Sequence, residues 1–110
     1  MEAKAIAKTV RISALKSRLV MKLISGKNVD EALTIIAGFN NKASRVIKKV
    51  LNSAIANAEN NNKMDRKKLY IKEGYINDGK FIKRSVPDSR GRIARNDHRT
   101  SHITIVVAER

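Results

Sequence analysis

Between residues 80 and 100 the chain places Lys80, Lys83, Arg84, Arg90, Arg92, Arg95 and Arg99 against only Asp88 and Asp97. Ammonium and guanidinium groups at this density neutralise anions, and they contact phosphate, sugar and groove edges when the anion is a nucleic acid. A second set of cations, among them Arg11, Lys16, Arg18, Lys22, Lys42 and Lys49, is spread through the first half of the chain. Over all 110 residues Lys and Arg number 24 and Asp and Glu 10, a formal charge of +14 with a pI near 10.6. A surplus that large implies a polyanionic partner.

Nucleic acid and an anionic membrane surface both answer that description. No apolar run approaches the ~18 residues that a spanning helix needs. The opening segment interleaves Lys4 and Lys8 with small apolar residues and lacks the continuous apolar stretch of a signal peptide, so a mature cytoplasmic protein with no membrane contact is expected.

Other chemistries find little support. Cysteine is absent, which removes disulfides, thiol catalysis and cysteine-based zinc sites together. His98 and His102 have no third ligand nearby, so neither metal nor cofactor is expected. Thr100 and Ser101 lack the carboxylate–histidine spacing of an activated hydroxyl, and Glu31, Glu59 and Glu73 are scattered. Gly26, Gly38, Gly74, Gly79 and Gly91 lie too far apart for a phosphate-cradling loop. An enzyme is therefore not expected. The aromatic residues are Phe39, Tyr70, Tyr75 and Phe81, too few for a platform that stacks single-stranded RNA, which leaves Lys and Arg contacts to a structured RNA.

The elements that must position these cations are legible from periodicity. Ala3 to Val10 reads as a short edge strand whose lysines discourage further pairing. Ser13 is a plausible N-cap for a helix over 14–25, with Leu15, Leu19, Val20, Leu23 and Ile24 as its apolar set, Lys16, Arg18 and Lys22 on the other surface, and Gly26 as its stop. A short helix follows Asp30 and ends near Gly38. Asn40 or Asn41 opens the clearest helix, in which Ala43, Val46, Ile47, Val50, Leu51, Ala54, Ile55 and Ala58 form one stripe. The Asn60-Asn61-Asn62 run breaks it. Leu69 to Asn77 and Ser101 to Glu109 read as strands, and the second is apolar on both faces near its end, as a central strand would be.

About twenty residues, Lys80 to Thr100, separate those strands with no core-forming periodicity. Compact domains seldom keep so long a featureless connection unless it has a job. Pro87 and Gly91 stand near its midpoint, where a hairpin turn needs a fixed φ and a permissive residue. Two halves of roughly ten residues at ~3.3 Å each would project roughly 30 Å from the body. The expected organisation is one domain, 1–110, with a hairpin arm at 80–100 inside it.

Four segments in order carry a family resemblance: Lys16-Ser17-Arg18-Leu19-Val20, Gly26-Lys27-Asn28-Val29-Asp30-Glu31-Ala32-Leu33, Ser53-Ala54-Ile55-Ala56-Asn57-Ala58-Glu59 and Arg99-Thr100-Ser101-His102-Ile103. In wording and spacing the chain resembles the bacterial ribosomal protein L-twenty-two family from about Ile12 onward. The resemblance implies an α+β fold of three helices packed on a three-stranded antiparallel sheet with a long protruding β-hairpin. It also implies binding to large-subunit ribosomal RNA, a place beside neighbouring ribosomal proteins, a role in subunit assembly, and a hairpin that lines the polypeptide exit tunnel and meets the nascent chain. No homo-oligomer is expected. The candidate rRNA-binding set is Arg11, Lys16, Arg18, Lys22, Lys42, Lys49, Lys80, Lys83, Arg84, Arg90, Arg92, Arg95, Arg99, Thr100, Ser101 and His102. The candidate tip is Pro87, Asp88, Ser89, Arg90, Gly91 and Arg92, and Asp88 departs from the family's commonly basic residue there.

Two other classes share the chemistry. An architectural DNA-binding protein with a basic ribbon arm would use Pro87 as a wedge, but normally needs a dimer to present two arms. A free regulator of translation would differ only in not travelling with large subunits.

Overall fold

The computed structural model describes residues 2–80, 85–87, 89–91, 93–95 and 99–109. β1 (Glu2–Val10) alternates, with Ala3 and Ala5 buried and Lys4 and Ile6 outward. Three α-helices follow among the described residues, α1 (Ala14–Ile24), α2 (Val29–Ala37) and α3 (Lys42–Asn61). A single 3-10 turn, Arg66–Lys68, then leads into β2 (Leu69–Asp78). β3 (Ser85–Pro87) and β4 (Ile93–Arg95) form a two-stranded ladder of their own, and β5 (Ser101–Glu109) returns to the main sheet.

The main sheet has the order β1-β5-β2, with both pairings antiparallel. β5 is the central strand, as its two apolar faces require: Ile103, Ile105 and Val107 turn to the helices, and Thr104, Val106 and Ala108 are buried on the opposite face. Bulges interrupt both ladders, between Ala7 and Val10 and between Ile71 and Glu73, and Thr9 has φ 54° beside the first. α3 lies across β1 and β5, α1 lies on β2, and α2 fills the angle between them. One core, centred on Ile24, Ile47, Leu51, Ile71 and Ile105, serves all of these elements.

The helix ends follow local chemistry. Asn41 is the N-cap of α3, and its side chain accepts a hydrogen bond from the Ser44 N–H at 2.8 Å. Asp30 and Glu31 occupy the first turn of α2, near its positive end. Gly26, at φ 82°, turns the chain out of α1 so that its N–H meets the Ile71 carbonyl at 3.0 Å. Ser13 does occupy the N-cap position of α1, but its hydroxyl makes no capping bond; its carbonyl accepts from the Ser17 amide and hydroxyl instead.

The packed side of α1 departs from expectation. Leu15, Leu19 and Leu23 are 68%, 65% and 46% exposed, and the side that packs is Ala14, Ser17, Val20, Met21 and Ile24. Small residues at 14 and 17 let the helix approach closely. Met21 sits on Gly74 of β2 so tightly that a Cβ there would lie 2.4 Å from its Sδ. Close approach of α1 to the sheet therefore outweighed the larger apolar area of the leucines.

Both outer edges of the sheet are dressed by polar groups. Asn57 and Asn62 of the α3 end donate to the Lys4 and Glu2 carbonyls of β1. On the far side, Ile71 of β2 exchanges hydrogen bonds with the Gly26-Lys27 turn. Such edges are poor templates for pairing with another chain. The radius of gyration, 16.9 Å, exceeds the ~13 Å of a compact chain this long. The extents of 61 × 26 × 16 Å put the excess along one axis.

Candidate nucleic-acid interface

The candidate cations fall into groups set by the elements that carry them. Lys42, the first residue of α3, reaches the Arg11 carbonyl with its Nζ at 2.7 Å, which draws Arg11 and Lys42 together at one end of the body with Lys16 nearby. Lys22 lies on the other flank of α1, and Lys49 lies farther along α3; all of these side chains are exposed. Among the described residues no three His, Cys, Asp or Glu side chains gather where they could hold a metal ion. No helix is long and apolar enough to cross a membrane among them.

Arg18 behaves differently. Its Nε and one terminal nitrogen both donate to the Ile76 carbonyl, at 3.1 and 2.8 Å, and Asp78 stands 4.0 Å away. A guanidinium forked onto one carbonyl ties α1 to β2 two residues before that strand ends. Half of the side chain remains exposed.

The base of the 80–100 segment is laced shut. Asp78 pairs with Ser101 at the last rung of the sheet, and the Gly79 N–H donates to the Thr100 carbonyl at 2.9 Å. The Thr100 hydroxyl donates to the Lys80 carbonyl, and the Ser101 hydroxyl donates to the Ile12 carbonyl at 2.7 Å. Gly79 is needed there, since a Cβ would come within 2.5 Å of Thr100 Oγ1. Thr100 and Ser101 are 2% and 0% exposed, so the reading of their side chains as RNA contacts is corrected: these hydroxyls fasten the arm's base to the body. A buried hydroxyl already donating to a carbonyl has no proton left for a phosphate. His102 is half-buried, and its Nδ1 accepts from the Thr9 N–H at 2.9 Å, so Nδ1 carries no proton in this arrangement.

Beyond the base, β3 pairs antiparallel with β4 in the register Ser85↔Arg95, Val86↔Ala94 and Pro87↔Ile93. The turn between them, Ser89–Gly91, holds two successive left-handed residues, Arg90 at φ 60° and Gly91 at φ 73°. Gly91 takes that conformation freely, whereas Arg90 does so at a cost on the order of 1 kcal/mol. Arg90, Lys80 and Arg99 are exposed. The candidates Lys83, Arg84, Asp88 and Arg92 lie outside the described residues, as does His98. Arg95 is placed on β4.

Two features escaped the sequence reading. The exposed leucines of α1 are one; the signal was the competing repeat Ala14, Ser17, Val20, Met21 and Ile24, which also has helical spacing. The other is a surface ion pair, Glu2 with Lys72, reaching across the sheet. Its hydrogen bond, followed by its charge attraction, holds the Glu2 carboxyl below and the Lys72 ammonium above their ordinary pKa values.

A sequence profile of the family described as Ribosomal protein L22p/L17e matches residues 5–108. A protein of Carboxydothermus hydrogenoformans named large ribosomal subunit protein uL22 is 54% identical over 110 residues, spanning 100% of this chain and 97% of that protein. A protein of the same name from a Thermoanaerobacter species is 54% identical over 110 residues, with 100% and 99% covered. Another, from Oceanobacillus iheyensis, is 52% identical over 110 residues, with 100% and 97% covered.

Proposed function

The chain belongs to the Ribosomal protein L22p/L17e family, and from that premise we propose that it is a structural constituent of the large subunit of the cytoplasmic ribosome, with no enzymatic activity. In this reading it binds large-subunit rRNA through exposed cations of its body away from the outer face of α1, aids subunit assembly, and lines the polypeptide exit tunnel with the hairpin at 80–100. It works as a single domain and as a single copy.

The observation that carries the reading is the arm's base. Gly79, Thr100 and Ser101 bond the two strand ends to each other and to the α1 approach, which supports a cationic ribbon anchored at its root. A three-residue ladder is too short to be stable alone in water, and surrounding RNA would supply what it lacks. Arg90 holds a costly backbone conformation at the turn, which supports a role for its side chain there.

Counterion release makes such binding salt-dependent, with a slope of about one per phosphate neutralised. Titration of the chain with large-subunit rRNA transcripts at several salt concentrations should give a steep linear fall of log affinity with log salt. Gradient sedimentation of lysate should place the chain with large subunits. A flat salt response, or a chain that stays at the top of the gradient, would overturn the reading.

A further inference from the structure

The solvent side of α1 carries an apolar ridge that the core does not use. Leu15, Leu19 and Leu23, 68%, 65% and 46% exposed, recur every four residues and so stand in one line along the helix. They point away from Val20, Met21 and Ile24, which pack inward. Beside the ridge, Phe39 is 41% exposed, and a groove of about 600 Å³ opens between Leu19, Leu23, Phe39 and Ala43. Lys16 and Lys42 stand on the groove's wall, and helical spacing puts Lys22 on the ridge's other flank. Large exposed apolar patches with polar rims mark interaction surfaces.

Charge decides among the occupants. A second copy would bring Lys16, Lys22 and Lys42 against the same lysines on a chain that is also +14. RNA would satisfy the lysines, but leucine methyls give a base edge neither donor nor acceptor, and a backbone laid across them would lose water without return. A polypeptide satisfies both halves, with apolar side chains on the ridge and carboxylates on the flanking lysines. We propose that this face of α1 docks an amphipathic segment of another protein of the large subunit, apolar along the contact and bearing Asp or Glu at its margins. The inference rests on the subunit membership proposed above.

The test places a photoreactive benzoylphenylalanine at Leu19 of the full chain, assembles it into large subunits, irradiates them, and identifies what is captured by digestion and mass spectrometry. The expected product is a peptide of another subunit protein with apolar residues at the crosslink and a carboxylate within about one helical turn. A companion chain carrying Leu15→Glu and Leu23→Glu keeps its melting temperature, because both side chains are already exposed, and loses the crosslink at least tenfold. Capture of rRNA, of a second copy, or of a segment without acidic residues would overturn the proposal, and so would no capture by a chain that does enter the subunit. A chain that never enters large subunits brings down the underlying reading, and this one with it.

Discussion

The buried face of α3 and the β3–β4 hairpin hold their shapes in opposite ways. Ile47, Leu51, Ala54 and Ala58 are fully buried against β1 and β5, so the helix takes its place from apolar area withdrawn from water. The hairpin has three paired rungs and a turn with two left-handed residues, and hydrogen bonds of Gly79, Thr100 and Ser101 hold together the strand ends from which the 80–100 segment starts. The difference teaches that burial and charge can be separated by substitution: apolar burial is concentrated in the body, whereas the short 80–100 segment sets seven cations against two carboxylates.

Leu51→Asp should give the largest effect. A carboxylate at a position with 0% exposure costs about 4 kcal/mol or more, enough to unfold a marginal domain, read by circular dichroism melting. If the chain still melted cooperatively near the parent temperature, α3 would not be the body's anchor. Ser101→Ala comes next. It leaves the Ile12 carbonyl without its donor and should cost about 1–2 kcal/mol, while distances between spin labels on body and arm broaden. A stability loss with no broadening would show that the root does not steer the hairpin.

Replacing Lys80 and Arg90 together by Ala should leave the melting temperature unchanged and lower the salt slope of RNA binding by about two. An unchanged slope would remove the arm from the interface. Ser44→Ala should raise stability by a few tenths of a kcal/mol, because the Ser44 hydroxyl is buried with no hydrogen-bond partner, alone in this among the described residues.

The smallest effect concerns Glu2 and Lys72. Because the Glu2 pKa is lowered on folding, its contribution is present above the ordinary carboxylate range and fades as pH falls through the lowered value. Because the Lys72 pKa is raised, the same pair's contribution fades as pH rises through that raised value. Glu2→Gln should thus shift the melting temperature slightly at neutral pH and low salt. It should not shift it in strong acid.

Most of the fold was legible along the chain. The stripe of α3 repeats over four turns, so its inner face could be read directly, and the doubly apolar β5 had to lie between neighbours. Gly91 announced a turn because only a residue without Cβ takes φ 73° freely. The candidate interface was legible only as charge. Lys16 and Lys42 proved exposed, as a cation with a long stem usually is, but Arg18 gave that no sign because its carbonyl partner lies 58 residues away.

Composition and periodicity by themselves determined a strongly cationic chain, its helices and strands in order, and a charged insertion too polar to bury. Tertiary structure alone decided which side of α1 faces inward, because two apolar stripes with the same period compete there and only contact with Gly74 and the sheet separates them. It decided also that Thr100 and Ser101 serve the arm's root. Ser101 bonds Ile12 across 89 residues of sequence, and a local pattern cannot reveal a partner that only folding brings near.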